Sequence, residues 1–215
     1  MISLEQFGSS SAERVRHACA ALVQGKGIIL IDDRDRENEG DLIYSASNLT
    51  TRDIAQMIND CSGIICLCLT KETANQLGLK PMVEMNTSSY QTAFTVSIEA
   101  SRGVTTGVSA KDRWVTIQAA VNPQAVANDL SKPGHVFPLV ARSGGVLERR
   151  GHTEGSIDLQ LLAGLPPAAV LCELMNADGT MKNFHELTLY AQLHGLTIVS
   201  VEDIYNVRKQ ASAEP

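Results

Sequence analysis

The chain has 215 residues, of which 44% are hydrophobic and 20% charged, enough apolar material for a substantial core and too much for a disordered chain. Lys and Arg total 18 against 24 Asp and Glu, and the net charge of −6 disfavours sequence-independent binding of nucleic acid or of an anionic membrane surface while leaving room for a local basic pocket. The longest apolar runs, Ile28–Ile31 and Ala168–Cys172, cannot cross a bilayer, no signal-peptide core is present, and five cysteines without a Cys-x-x-Cys pair suit reduced thiols in a cytoplasmic protein.

Residues 10–24 predict the first helix, with Ser10 and Glu13 spaced as a capping box and Val15, Ala18, Cys19 and Leu22 on one face. Gly25 and Gly27 end it, and Ile28–Ile31 follows as an unbroken apolar strand, the pattern of burial on both faces. A helix over 51–60 precedes the strand Ile64–Leu69, and a short helix near 71–77 ends at Gly78. Phe94, Val96 and Ile98 are expected on one face of a strand, with Thr95 and Ser97 on the other. Ser109 and Asp112 suit the start of a helix to about 121. Val136–Ala141 reads as an edge strand or a strand end, because Pro138 removes a ladder donor. A helix from Thr153 to Leu162, a strand over Ala169–Leu174 and a turn at Asn176–Gly179 follow. A helix over 184–194, a strand Thr197–Val201 and a helix over 202–211 complete the series, with 211–215 expected to fray. Without repeat or linker, this predicts a single compact domain over 1–215, an α/β (α+β) sandwich with a mixed β-sheet flanked by helices.

Charge is unevenly spread. Between Asp32 and Asp41 six acids stand against two arginines, so ten residues carry −4 of the chain's −6. Read alone, the run suits a solvated loop. An EF-hand fails on spacing, since a loop starting at Asp33 puts Asn38 where Gly is needed and one starting at Asp35 ends on Ala46. A catalytic divalent-ion site, in which one or two carboxylates hold the metal, remains. The second constellation is Arg149-Arg150-Gly151-His152-Thr153-Glu154, where arginine, glycine and threonine at a helix start suit a phosphate and His152 could ligate metal. Glu173 at the end of an apolar strand needs a partner, a metal or exposure. Cys66 and Cys68 share a strand face and suit core thiols, His135 a loop, and Thr105-Thr106-Gly107 a phosphate contact or an ordinary turn.

Taken together, Asp-Arg-Glu-Asn-Glu-Gly-Asp at 35–41, Ser-Gly-Ile-Ile-Cys at 62–66, Gly-Val-Thr-Thr-Gly-Val-Ser at 103–109, Pro-Gly-His-Val-Phe-Pro at 133–138, Arg-x-Gly-His-Thr-Glu at 149–154 and Cys-Glu-Leu at 172–174 occur in order. The chain, from about residue 5 to about 208, resembles the 3,4-dihydroxy-2-butanone 4-phosphate synthases of riboflavin biosynthesis. The resemblance implies a lyase that converts ribulose 5-phosphate to 3,4-dihydroxy-2-butanone 4-phosphate and formate, as a cytoplasmic homodimer with two Mg²⁺ (or Mn²⁺) ions per subunit. It implies Glu37 and His152 as metal ligands, and Arg36 and Asp41 as sugar contacts. Arg149 and Thr153, with Gly151 and Thr106 beside them, are implied at the phosphate, with Arg150 able to exchange roles with Arg149. His135, Glu173 and Asp41 are implied in proton transfer as a group, and Cys66 as an active-site thiol. The zinc cysteines of a GTP cyclohydrolase II module are absent from these 215 residues, so a monofunctional chain is expected. Two rival readings are a Mg²⁺-dependent aldolase or isomerase acting on another sugar phosphate, and a non-catalytic metal- or nucleotide-binding module. The chain has no Gly-x-Gly-x-x-Gly turn to support the nucleotide.

Overall fold

The computed structural model describes residues 3–33 and 35–212; Arg34 and the outer part of the expected frayed tail lie outside the described residues. In chain order the elements are α1 (Ser11–Val23), β1 (Ile28–Ile31), β2 (Gly40–Ser45), α2 (Thr51–Asp60), β3 (Cys66–Leu69), α3 (Lys71–Gln76), β4 (Ile98–Ala100), α4 (Ala110–Val121), β5 (Leu130–Val140), α5 (His152–Leu162), β6 (Ala168–Glu173), α6 (Phe184–His194), β7 (Thr197–Ser200) and α7 (Val201–Ala211). The seven strands form one mixed sheet in the order β4-β5-β3-β6-β2-β1-β7, with β1–β7 and β3–β5 parallel and the other neighbours antiparallel.

The unbroken apolar strands occupy the middle of this sheet because each of its faces carries a core. On one face Leu42, Leu67 and Val170 meet Ile54 and Met57 of α2, Ile117 of α4 and Leu187 of α6. On the other, Leu30, Ile43 and Ala169 meet Val15 and Ala18 of α1, Ile157 of α5 and Ile204 of α7. The molecule is therefore a three-layered α/β sandwich. Among the described residues, six of the seven α-helices start at a residue whose side chain accepts a first-turn N–H, Ser10 and Ser109 among them. The Ser10–Glu13 box is only half made, since the Glu13 carboxylate turns back to the N–H and hydroxyl of Ser9.

Two expectations are corrected, and one strand was not read from the sequence. That strand, β2, is fully buried and takes in Gly40 and Asp41 at the end of the acidic run, the rest of which connects β1 to β2. β5, of which the segment expected from Val136 is the C-terminal end, is not an edge strand. It lies between β3 and β4, and Pro138 is tolerated because N–H groups of Phe137 and Ala141 serve β3 while the position of Pro138 faces residues 93–96, where its carbonyl accepts the Thr95 N–H at 3.0 Å. Phe94 and Ile98 fall on opposite cores, because regular pairing with β5 begins only at Ile98 and shifts register there.

One buried ion pair ties the outer layer together. Asp203 of α7 accepts Arg14 Nε at 2.9 Å and Nη2 at 2.6 Å, Ser11 Oγ at 2.7 Å and Ser200 N at 3.0 Å. Burial alone would raise the Asp203 pKa, but Arg14 and these hydrogen bonds hold it below the ordinary value. Asp203→Ala leaves Arg14 buried without its partner and is expected to cost about 3–5 kcal/mol at pH 7 in urea unfolding. A lowered folded-state pKa means that this contribution is complete above the ordinary carboxylate value of about 3.9 and disappears as pH falls through the folded value, so the two proteins should converge below about pH 4. A gap that persists unchanged in acid would contradict the assignment.

Candidate active site

The β1–β2 hairpin is built around the Asp32 carboxylate, which the sequence reading did not single out. It accepts the N–H groups of Glu37 and Glu39, both at 3.0 Å, and Arg36 Nη1 at 2.8 Å. One buried carboxylate thus folds the acidic run back over the sheet. A sequence signal exists only in hindsight: an acid directly after a buried strand, five to seven residues before the backbone groups it serves.

The turn directs Glu37 toward His152, the first residue of α5, whose Nδ1 lies 3.5 Å from Glu37 Oε2 and 3.6 Å from Asp41 Oδ2. Donor atoms of Asp32, Glu37 and His152 all lie within 4.8 Å of one another. Burial raises the Asp41 pKa to about 7; Glu173, Glu37 and Glu39 add to the rise and His152 opposes it. Burial would lower the His152 pKa, but Asp41, Glu37 and Asp32 outweigh it and bring it to about 9. Asp41 Oδ1 and His152 Nε2 are buried without a hydrogen-bond partner. Two buried atoms without a hydrogen-bond partner, beside convergent carboxylates, fit a divalent ion held mainly by carboxylate oxygens with one imidazole.

Asp41 and Glu173 are direct cross-strand neighbours on β2 and β6. Glu173 Oε2 accepts the Ser62 hydroxyl at 2.6 Å, and Ser62 N donates to the Glu173 carbonyl at 2.8 Å. Cys66 faces the same cavity, buried, and burial beside Glu173 pushes its thiol well above the ordinary range, so it acts as a neutral group. Cys68, on the same strand face, lies deeper and does not line the cavity.

The other end of the cavity is the start of α5. This is the one α-helix among those described whose first turn has no side-chain cap, so its first N–H groups are left for another acceptor. Thr153 lines the cavity there, and so does Arg149, whose Nη1 donates to the buried Glu154 carboxylate at 2.5 Å. Gly151 permits that pair, since a Cβ there would collide with the Arg149 guanidinium. The open space measures about 520 Å³ with its mouth.

Not every predicted residue comes here. Arg150 points away: it donates to both oxygens of Asp33, pairs with Glu202 and lies 4.7 Å over the Tyr205 ring, so of these two adjacent arginines only Arg149 lines the cavity. His135 and Thr106 do not line it either. Strand register puts His135 in the row of Glu173 but two strands away, roughly 10 Å, beyond the reach of a shared proton. It is paired instead with Glu99 at 2.6 Å, and the Thr106–Gly107 turn packs on that pair. The turn is held by Asp112, which accepts the Thr105 hydroxyl at 2.7 Å and the Gly107 N–H at 3.1 Å.

The family model described as 3,4-dihydroxy-2-butanone 4-phosphate synthase matches residues 16–207. A synthase of that name from Shewanella woodyi is 59% identical over 96% of this chain and 94% of its own, and one from Vibrio cholerae serotype O1 is 56% identical over the same shares. Among solved structures, a 3,4-dihydroxy-2-butanone 4-phosphate synthase in complex with two magnesium ions superposes with a TM-score of 0.89 at 36% identity, covering 94% of this chain and 99% of that one. A two-domain synthase from A. baumannii superposes with a TM-score of 0.87 at 45% identity, and the chain spans 57% of its length.

Proposed function

The chain belongs to the 3,4-dihydroxy-2-butanone 4-phosphate synthase family, and from that premise we propose that it is a lyase converting ribulose 5-phosphate to 3,4-dihydroxy-2-butanone 4-phosphate and formate for riboflavin biosynthesis in the cytoplasm. The observation that carries this reading is a single cavity with Glu37, His152, Asp41 and Glu173 at one end and Arg149, Thr153 and the uncapped start of α5 at the other. A five-carbon sugar phosphate needs such an arrangement: a charged grip on the phosphate, and paired acids where carbon–hydrogen and carbon–carbon bonds change. Release of formate from ribulose 5-phosphate in the presence of Mg²⁺ tests it. Turnover to another sugar phosphate without formate would favour the aldolase or isomerase reading.

Glu37 and His152 would hold the divalent ions, with Asp32 fixing the loop that presents Glu37. When bound, two Mg²⁺ or Mn²⁺ ions supply positive charge opposite the sugar oxygens that gain negative charge during the reaction. Arg36 contacts the sugar. Asp41, buried beside His152, can take a proton and return it within one turnover, and Glu173 faces it across the strand pair. These two, with His135, share the proton transfers. Cys66 adds a neutral thiol to the cavity wall.

His135 has a place in this reading only if a second copy completes the site. The His135–Glu99 pair and Thr106 are flanked by exposed Ile64 and Val108, an apolar surface beside the cavity, and the homodimer seats there so that His135 and Thr106 of each copy serve the other. Mixed dimers check this. Co-expressed His135→Ala and Glu37→Gln chains, each inactive alone, should regain about a quarter of normal activity, since half the dimers then hold one intact site. No recovery in dimers shown by mass to be mixed would place His135 in its own chain's site.

A further inference from the structure

Residues 80–91 form an exposed excursion of the chain between α3 and β4, tied at its base where Met82 N donates to the Phe94 carbonyl at 3.0 Å. A run this long without regular structure would ordinarily be mobile. Its far end is instead fastened at two places, and both are arginines of the cavity. The Tyr90 hydroxyl donates to the Arg36 carbonyl at 2.6 Å, and the Arg36 guanidinium lies 4.8 Å from the centre of the Tyr90 ring. The Tyr90 carbonyl accepts Arg149 Nε at 3.3 Å and Nη2 at 3.1 Å, and Thr92 Oγ1 accepts Arg149 Nη2 at 3.0 Å. Asn86 Nδ2 closes the tip by donating to the Thr92 carbonyl at 2.9 Å.

Arg149 thereby spends its fork on protein groups: Glu154 on one side and the excursion on the other. Its plane is set before any ligand arrives, and the Thr92 hydroxyl, which accepts from Arg149, keeps its own proton for an anion at the cavity wall. Arg36 is set likewise by Asp32 below and the Tyr90 ring beside it. One exposed side chain therefore links the hairpin that contacts the sugar with the turn that holds the phosphate.

The geometry points to Tyr90 as a positioning residue for the substrate: through its ring and hydroxyl it fixes Arg36, and through the strap it anchors it fixes Arg149 and Thr92, so that both ends of a sugar phosphate meet preset groups. This rests on the sugar-phosphate reading above, and the test separates the two. Inorganic phosphate binding, followed by calorimetry on the whole protein, probes the strap without turnover. Ribulose 5-phosphate with Mg²⁺ then gives kcat and KM. Tyr90→Ala should weaken phosphate binding and raise KM by about ten- to thirtyfold, and Tyr90→Phe, which keeps the ring under Arg36, by about threefold. With Arg149→Ala already present, adding Tyr90→Ala should change phosphate affinity by less than about twofold, because the route through Arg149 is gone. Met85→Ala, on the same excursion and 78% exposed, should match the unaltered protein. Unchanged phosphate affinity in Tyr90→Ala, the same loss in Met85→Ala, an equal loss with Arg149 already removed, or no phosphate binding by the unaltered protein would each overturn the inference. Phosphate binding that follows Tyr90 without any formate release would keep the strap and reject the lyase reading.

Discussion

Glu37→Gln lowers formate release from ribulose 5-phosphate by at least about 10³-fold while the protein stays folded. Several kcal/mol of charge stabilisation depend on holding the divalent ions, and about 1.4 kcal/mol is tenfold. The substitution keeps shape and removes the charge that faces His152 and Arg36. The hairpin itself survives because its organiser is Asp32, which bonds the Glu37 N–H and not its side chain. Unfolding free energy should therefore move by no more than about 0.5–1 kcal/mol, within the range of substitutions that leave the core intact. Calorimetric titration with Mg²⁺ or Mn²⁺ should show the loss directly. A Glu37→Gln protein with full turnover, or full turnover after EDTA treatment, would remove the metal assignment.

The second large effect lies at the other end of the cavity. Arg149→Ala should reduce kcat/KM for ribulose 5-phosphate by about 10–10²-fold, the equivalent of the one charge-assisted hydrogen bond of roughly 1.5–3 kcal/mol that its remaining Nη1 proton can give the phosphate. Part of that loss should fall on kcat, since phosphate binding aligns the sugar with the carboxylates. It should be small on dephosphorylated ribulose. Arg149→Lys should recover only part, because a single ammonium cannot bond Glu154 and the Tyr90 carbonyl from opposite sides as the planar guanidinium does. An equal loss on both substrates would mean that Arg149 acts by holding structure rather than phosphate. Arg150 is no longer the alternative, being committed to Asp33 and Glu202.

What could be read from sequence followed periodicity and local chemistry. Ile28–Ile31 and Ala168–Cys172 announced a two-faced core because every position was apolar, and both are interior strands. β2 did not announce itself: Asp41 and Ser45 are buried polar residues, and a strand that opens on a buried carboxylate looks like a loop. Pro138 misled because the rule concerns which side of a strand lacks a donor, and the partner on that side is irregular chain. Most of the motif residues come together around one cavity, yet adjacent Arg149 and Arg150 diverge in a non-helical turn for which no periodicity predicts direction. Asp32 and Tyr90 escaped notice for a different reason. Their work is done on backbone groups, the N–H of Glu37 and Glu39 for Asp32 and the distant carbonyl of Arg36 for Tyr90, and such contacts carry no residue-type signature.

The reaction itself is tested most directly by a single turnover with enzyme in excess over ribulose 5-phosphate and Mg²⁺, quenched and counted for every product. One formate and one four-carbon phosphate per sugar consumed, with neither formed in EDTA, is the predicted balance. An isomeric five-carbon phosphate, or two- and three-carbon fragments without formate, would contradict it.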